Sequence, residues 1–186
     1  MSDALLDPVG PWTFDQLADL PDDARRYEVV DGHLVVTPPP SQPHQKVANR
    51  LQRQLAAAAP AEWEVYVEFA LPLGSDGRVP DLSVVRRRPL APVRPPYPQG
   101  PEDFGLVVEV TSPGTRKTDL FAKPGEYAEA GIPLFWRVEL EPELVVTAWR
   151  LEGAAYAPAA EVRGAGGPCP VPWGEITLDL ARVVSG

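Results

Sequence analysis

The chain has 186 residues, 44% of them hydrophobic, which predicts one domain with a sizeable core. Its formal net charge of -9 argues against non-specific binding to nucleic acid through a basic surface, but leaves room for an enzyme whose acidic site holds a divalent cation. The single cysteine, Cys169, excludes an internal disulfide and a cysteine-based zinc site. With no signal-peptide pattern and no apolar run long enough to cross a bilayer, a cytoplasmic protein is expected.

The N-terminal part is predicted to form a short helix and a β-hairpin. Residues 12–20 have the pattern of a short helix that ends before a proline. Alternating apolar stretches at 27–30 and 33–37 flank Asp31 and Gly32. An Asp-Gly pair favours the two-residue type I′ turn because both positions tolerate positive φ, so a hairpin is predicted here.

A longer helix and two strands are predicted next. Apolar residues recur at three- and four-residue steps from 41 to about 59, which indicates an amphipathic helix with His44 on the first turn of its buried face. Residues 63–71 and 79–85 alternate enough to be strands. Asp81 lies near the start of the second of these strands.

The most informative stretch runs from 105 to 139 and reads as strand, helix and strand. The nearly continuous apolar run at 106–111 is typical of a central strand that is covered on both faces, and Glu109 lies inside it. The proline-rich segment 86–104 before it is predicted to be a long surface loop. Further strands are predicted at 134–138, at 143–151 with 156–162 as an antiparallel pair, and at 173–183 as a short strand or edge.

Glu109 and Asp81 are the candidates for metal binding. A carboxylate in a buried strand loses its hydration and needs a cation or strong hydrogen-bond donors. If the two strands are neighbours, both carboxylates lie at the same end of one sheet, where they repel each other unless a positive group lies between them. Mg²⁺ is usually held by one or two protein carboxylates with water, so this pair suits Mg²⁺ or Mn²⁺.

The helix after Glu109 supplies a candidate catalytic amine. Asp119, Lys123 and Tyr127 are spaced four apart and lie along one stripe, from which Lys123 can reach over the sheet edge and orient a water molecule. Pro124 follows the lysine directly and is expected to distort the turn that carries it. The alternative is an exposed pair between Lys123 and Asp119.

Two further residues are candidates for assisting the site. Glu28 shares a hairpin face with Val30 and can point toward the same cleft, or else it is a solvated strand residue. His44 can take part in catalysis, or it is a hydrogen-bonded core histidine. Glu109 itself has a purely structural alternative, an ion pair with Lys123 or Arg137.

Several motifs in a fixed order resemble a known family. The order of Pro80-Asp81 and then Glu109-Val110-Thr111 resembles the PD-(D/E)xK nuclease superfamily. More narrowly, residues 12 to 150 resemble the Uma-two family of restriction-endonuclease-like proteins. The motifs that carry this resemblance are YEVVDGHLVV, PPP followed by His44, VPDLSVV, VVEVTSPGTRKTD, Lys123, Tyr127 and AGIPLFW.

The resemblance implies an α/β fold with a restriction-endonuclease-like core: a central mixed β-sheet flanked by helices, an N-terminal β-hairpin and C-terminal antiparallel strands. It implies a Mg²⁺- or Mn²⁺-dependent endonuclease that acts on nucleic acid, with DNA as the expected substrate. A homodimer is possible under this resemblance. Asp81 and Glu109 would bind metal, Lys123 would activate water, and Glu28 and His44 would assist. Thr111 stands where the superfamily has its lysine, and Lys123 fills that role in the narrower family.

The alternative function is a nuclease-fold module that has lost catalysis. Such a module would bind nucleic acid or a protein partner, and its divalent-cation binding would be weak or absent. The net negative charge and the threonine at position 111 favour this alternative. Divalent binding and cleavage are therefore the observations that separate the two functions.

Overall fold

A computed structural model describes residues 10–21, 23, 25–37, 39–89, 100–111 and 122–185 of the chain. Within these ranges the chain forms twelve strands, three α-helices and two short 3₁₀ helices. In chain order the elements are a 3₁₀ helix (Phe14–Asp19), β1 (Arg26–Val30), β2 (His33–Thr37), α1 (Gln42–Ala58), β3 (Trp63–Val67), β4 (Leu71–Leu73), β5 (Asp76–Arg78), β6 (Leu82–Arg86), a 3₁₀ helix (Pro101–Asp103), β7 (Phe104–Thr111), α2 (Lys123–Glu129), β8 (Leu134–Glu139), β9 (Val145–Glu152), β10 (Ala155–Val162), β11 (Gly166–Val171), β12 (Gly174–Asp179) and α3 (Leu180–Ser185).

A six-stranded sheet with the order β10-β9-β8-β7-β6-β3 forms the centre of the fold. The pair β7 and β8 is parallel, and the other neighbouring pairs are antiparallel, so the sheet is mixed. Every residue of β7 is buried, as the apolar run at 106–111 predicts for a central strand. The parallel pair is connected through α2, which is the crossover that parallel neighbours require.

Helices cover both faces of this sheet. Leu51 and Leu55 of α1 pack with Leu82, Val84 and Leu106 on one face. On the other face, Tyr127 of α2 belongs to one apolar cluster with Phe104 and Val107 of β7 and Phe135 of β8. This arrangement confirms the predicted α/β architecture with a mixed sheet between helices.

The N-terminal hairpin belongs to a second sheet with the order β2-β1-β5-β4. Asp31 and Gly32 have φ values of 50° and 71°, so both turn residues adopt the left-handed conformation that a type I′ turn requires. The hairpin is therefore as predicted. The predicted helix at 12–20 is a 3₁₀ helix from Phe14 to Asp19, and Phe14 packs directly over Gly77 of β5, where a Cβ atom would lie 1.9 Å from its ring.

Two strands predicted as continuous are each divided between the two sheets. The strand predicted at 63–71 ends at Val67 because Glu68 has a φ of 51°, and the chain resumes as β4 in the smaller sheet. The strand predicted at 79–85 begins only at Leu82, while residues 76–78, for which no strand is predicted, form β5. Pro80, which has no N–H to donate, lies between β5 and β6. Asp81 therefore lies where the chain passes from one sheet to the other.

The C-terminal part holds one strand that the sequence pattern did not indicate. The strand predicted at 173–183 is β12 followed by α3, and β12 pairs with β11 in a hairpin. Residues 166–171 were missed because two glycines and two prolines among six residues read as a turn. In the part of the chain that the structure describes, no helix is long and apolar enough to cross a membrane.

Cys169 on β11 is expected to be unreactive in the folded protein. Its side chain is fully buried, and burial together with the charge of Glu175 raises the pKa of the thiol to about 12. The thiol therefore stays protonated at pH 8. Only the deprotonated thiolate reacts as a nucleophile, so the residue should not react. A chromogenic disulfide reagent should react with no thiol in the native protein and with one in guanidinium chloride. Rapid reaction of the native protein would contradict this burial.

Candidate active site

Asp81 and Glu109 lie side by side where β6 begins and β7 ends. Leu82 of β6 pairs with Val108 of β7, and Asp81 and Glu109 are the residues next to this pair in the chain. The backbone N–H of Val110 donates a hydrogen bond of 2.7 Å to Oδ2 of Asp81. The two residues are 3% and 1% exposed. The structure thus brings the two predicted metal ligands together on adjacent strands.

Asp81 accepts hydrogen bonds from an arginine and a histidine. Nη1 of Arg26 lies 2.8 Å from Oδ1, and Nε2 of His44 lies 3.1 Å from Oδ2. Burial raises the pKa of Asp81, but His44, Arg26 and the Val110 N–H outweigh that effect and hold it below the usual value. Burial lowers the pKa of His44, whereas the hydrogen bond and charge of Asp81 raise it, and the net pKa is raised. His44 is thus a buried hydrogen-bonded histidine whose partner is a candidate ligand.

Glu109 receives hydrogen bonds from two residues of α2. Nζ of Lys123 lies 2.9 Å from Oε2, and Oη of Tyr127 lies 2.5 Å from Oε1. The two donors are four residues apart, so they project from one helical face. Burial and the charge of Glu109 raise the pKa of Tyr127 well above its usual value, so its hydroxyl keeps its proton and donates.

Lys123 is not on an exposed helix face. Its exposure is 3%, which excludes the solvated pairing with Asp119 as an account of this residue, and Asp119 itself lies outside the described residues. Lys123 and Pro124 are the first two residues of α2, and Ala122 before them lies in a π-helical turn. The residues before Ala122 lie outside the described ranges, so the distortion of the turn by Pro124 stays a prediction.

Glu28 lies at the site but faces an arginine that the sequence reading missed. It is 3% exposed, so it is not a solvated strand residue. Its Oε2 accepts from Nη1 of Arg78 at 3.2 Å and its Oε1 accepts from the backbone N–H of Val79 at 3.0 Å. Arg78 also donates two hydrogen bonds, of 2.7 and 2.6 Å, to Glu126 of α2.

Arg26 is the second residue that the sequence reading missed. Burial lowers its pKa, but the charges of Asp81, Glu28 and Glu109 outweigh that effect and raise it, so one guanidinium group lies among three carboxylates. Its side chain is 13% exposed. One pattern in the sequence could have indicated Arg26 as a site residue. Arg26 and the candidate Glu28 are two residues apart on a strand and therefore lie on the same face.

Charge at the site is nearly balanced by the side chains themselves. Four carboxylates meet two arginines and one lysine, and His44 has a raised pKa. Each of the two predicted ligands therefore has a basic side chain of the protein beside it, Arg26 at Asp81 and Lys123 at Glu109. The carboxylates are Glu28, Asp81, Glu109 and Glu126, and the cations are Arg26, Arg78 and Lys123.

The donor set at Asp81 and Glu109 suits a hard divalent cation. Among the described residues no group of three or more Asp, Glu, His or Cys is arranged around one point as metal ligands. Mg²⁺ needs fewer, because one or two carboxylates with waters usually hold it. A carboxylate has about four lone-pair positions, and Asp81 accepts from three donors. A metal ion at this position would share the carboxylate with Arg26.

An opening leads to Asp81 from outside. A cleft of about 150 Å³ between the start of α1 and the end of β3 is lined by residues that include Asp81, His44 and Glu68. Nδ1 of His44 and Oγ1 of Thr111 are buried and have no hydrogen-bond partner in the ranges that the structure describes. The site therefore has both a route of access and unused polar atoms.

Comparisons with known proteins identify the family and the fold of the chain. The family model Uma2, described as "Putative restriction endonuclease", matches residues 14–165. A solved structure of a putative nuclease belonging to DUF820 from Anabaena variabilis is 18% identical, with a TM-score of 0.72 over 94% of this chain and 98% of that chain, which shows a shared fold. A search of curated proteins gives no match. The family match confirms the resemblance seen in the sequence motifs, and the chain belongs to the Uma2 family, whose members are described as putative restriction endonucleases.

Proposed function

We propose that the chain is a metal-dependent nuclease that hydrolyses phosphodiester bonds, with DNA as the expected substrate. The observation that carries the proposal is the pair of buried carboxylates on adjacent strands, Asp81 and Glu109, with the amine of Lys123 2.9 Å from the second. Family membership and the fold support a nuclease. The metal ion, the DNA substrate and the roles of the individual residues are proposed in addition.

Each residue of the site has a role in this proposal. Asp81 and Glu109 would hold Mg²⁺ or Mn²⁺, which supplies a Lewis acid for a phosphoryl oxygen and lowers the pKa of bound water. Lys123, fixed by Glu109, places a cation where negative charge develops on the phosphate. Tyr127 donates to Glu109 and sets the direction of its carboxylate. His44 orients Asp81.

Arg26, Glu28 and Arg78 act as positioning residues in this scheme. Arg26 donates a hydrogen bond to Oδ1 of Asp81 and so fixes this carboxylate. Glu28 accepts a hydrogen bond from the backbone N–H of Val79, two residues before Asp81. Arg78 donates hydrogen bonds both to Glu28 and to Glu126 of α2. Through these contacts the smaller sheet fixes the chain segment that carries Asp81.

A cleavage assay tests the proposed function. Supercoiled plasmid, single-stranded DNA and single-stranded RNA are incubated with the purified protein in Mg²⁺, in Mn²⁺ and in a chelator. The expected result is cleavage of DNA that requires a divalent cation. Failure to cut any of the three substrates with either metal, or cleavage that persists in the chelator, counts against the proposal.

One observation favours the alternative function of an inactive nucleic-acid or protein-binding module. Asp81 and Glu109 are each paired with a cationic side chain, so their buried charges are compensated without a metal ion. Under this alternative Mn²⁺ binding, measured by calorimetry, is weak or absent and no substrate is cut. Saturable Mn²⁺ binding that is lost in Asp81→Asn supports the nuclease instead.

Replacing Arg26 with methionine is expected to tighten Mn²⁺ binding. The substitution removes a cation that lies 2.8 Å from Oδ1 of Asp81, so the local potential becomes more negative. Because a unit charge at contact distance contributes several kcal/mol at an effective dielectric of about 20, a gain of roughly tenfold or more in affinity is expected. Electron paramagnetic resonance of free Mn²⁺ measures it without any substrate.

The matched control for this prediction is Arg53→Met. Arg53 is exposed on α1, so its loss should leave Mn²⁺ affinity unchanged within about twofold. Circular dichroism establishes that both variants are folded. Equal or weaker Mn²⁺ binding by folded Arg26→Met would show that Arg26 and the metal ion do not share the Asp81 carboxylate.

Three wider expectations accompany the proposal. A single restriction-endonuclease-like domain is supported by a family match from residue 14 to 165, which includes the six-stranded and the four-stranded sheet. A cytoplasmic location and a homodimer remain predictions. Sedimentation equilibrium of the purified chain, with and without DNA, measures the oligomeric state.

A further inference from the structure

A second cavity lies beside the site, between α2 and the outer strands β8, β9 and β10. Its volume is about 330 Å³, which is within the range of small-molecule pockets, about 300 to 1,000 Å³. Small residues on the helix side leave the space open. Its lining includes Gly125, Ala128, Phe135, Arg137, Trp149 and Tyr156.

Flat side chains form the floor of this cavity. The rings of Phe135 and Trp149 are stacked, with centroids 5.4 Å apart and planes at 23°. The guanidinium carbon of Arg137 lies 4.9 Å from the Trp149 ring centroid, in a cation–π contact. Tyr156 lies 5.8 Å from Phe135 and its hydroxyl donates to the carbonyl of Ile132, which fixes the ring. Phe135 is buried, so the planes that the cavity offers are those of Trp149, Tyr156 and Arg137, which are half-buried.

The cavity adjoins the candidate catalytic residues. Arg137 pairs with Glu109 in the register of β7 and β8, so the two side chains are neighbours on one face of the sheet. Gly125 follows Lys123 by two residues on α2. Arg137 thus connects the lining of this cavity with the Glu109 side of the candidate site.

We propose that this cavity binds one nucleobase of the substrate strand, next to the phosphate that is cut. The inference rests on the proposed function and goes beyond it by specifying a base site. Aromatic rings and the guanidinium plane of arginine are the surfaces on which unpaired bases stack. A phosphate is disfavoured as the occupant because Nη2 of Arg137 is already 3.3 Å from the carboxylate of Glu139. A base reaches such a cavity only when it is outside a duplex stack, so the site selects single-stranded or locally opened substrate.

Mononucleotide binding tests the base site directly. Tryptophan fluorescence of the full chain is titrated with deoxyadenosine 5′-monophosphate and, separately, with deoxyribose 5-phosphate, in a chelator. The first ligand should quench fluorescence saturably through Trp149, and the second should not. In Trp149→Phe the saturable quenching should disappear, whereas in Trp173→Phe, which removes a ring that packs on Trp63, it should remain.

A cavity-filling variant tests the location without removing any contact. A Cβ atom at Gly125 would meet no atom within 4 Å, so Gly125→Leu fills the cavity and keeps Trp149 as the reporter. It should weaken deoxyadenosine 5′-monophosphate binding roughly 10- to 100-fold, the range expected for loss of one stacked base. The matched control is Ala57→Leu on the exposed side of α1, which should bind as the unaltered chain does.

The outcomes separate this inference from the proposed function. Equal binding of both ligands, no binding of either, or full affinity in Gly125→Leu overturns the base site, whether or not the protein cuts DNA. Selective mononucleotide binding that Gly125→Leu abolishes supports the base site. If the same preparation then fails to cut any substrate in the cleavage assay, the failure lies with the proposed catalysis and not with the cavity.

Discussion

Replacing Glu109 with glutamine should lower the rate of phosphodiester cleavage by about 10³-fold. Glutamine keeps the size of the side chain and an oxygen that can accept from Tyr127, but it removes the charge that would hold a metal ion. Metal-ion catalysis contributes several kcal/mol, and each 1.4 kcal/mol corresponds to a tenfold change in rate. Initial rates in Mg²⁺, on whichever substrate the unaltered protein cuts, give the measurement.

Glu175→Gln is the matched control for this experiment. Glu175 is exposed on β12, away from the site, so the same chemical change there should leave the rate unaltered. Far-ultraviolet circular dichroism and a thermal midpoint show whether each variant is folded. A folded Glu109→Gln protein that retains cleavage within about tenfold of the original rate would remove Glu109 from the chemistry.

Replacing Lys123 with methionine should destabilise the fold by about 3 to 5 kcal/mol, besides lowering cleavage. The amine of Lys123 and the carboxylate of Glu109 are 2.9 Å apart, with side chains 4% and 1% exposed, so removing one leaves the other charged in a buried place. Urea unfolding at pH 7 measures the free energy of unfolding. Lys46→Met, at an exposed position of α1, should change it by no more than about 0.5 kcal/mol.

The double variant shows whether this loss comes from the ion pair. Glu109→Gln removes the charge that Lys123→Met leaves uncompensated, so the two losses should be less than additive, with a coupling of about 0.5 to 3 kcal/mol. Cleavage should not return in the double variant. Strictly additive losses would mean that the two side chains stabilise the fold independently, contrary to their contact in the structure.

Local rules of the sequence were enough to bring most of the candidate site together. Strand alternation placed Asp81 near the start of one strand and a buried apolar run marked Glu109 in the next. Helical spacing of four placed Lys123 and Tyr127 on one stripe, and both contact Glu109. These rules relate residues that are close in sequence, so they can be applied without knowledge of the tertiary structure.

The arginines of the site could not be predicted in the same way. Arg26 and Arg78 lie on β1 and β5 of the smaller sheet, which are brought together by the pairing of Val29 with Gly77, far apart in sequence. The division of the strand around Pro80 was missed for the same reason. A proline shows that pairing stops, but not that the chain on its two sides joins different sheets.

The passage of the chain between two sheets, at residues 68–70 and 79–81, has a consequence for folding. Arg26 and Glu28 come from the smaller sheet, whereas Glu109 belongs to β7 of the larger sheet and Asp81 comes directly before β6, so a chain in which only the larger sheet has formed lacks Arg26 at Asp81. Under the proposed function, an intermediate in which only the large sheet has formed would be unable to degrade nucleic acid. Activity would then appear only when the smaller sheet packs against the larger one.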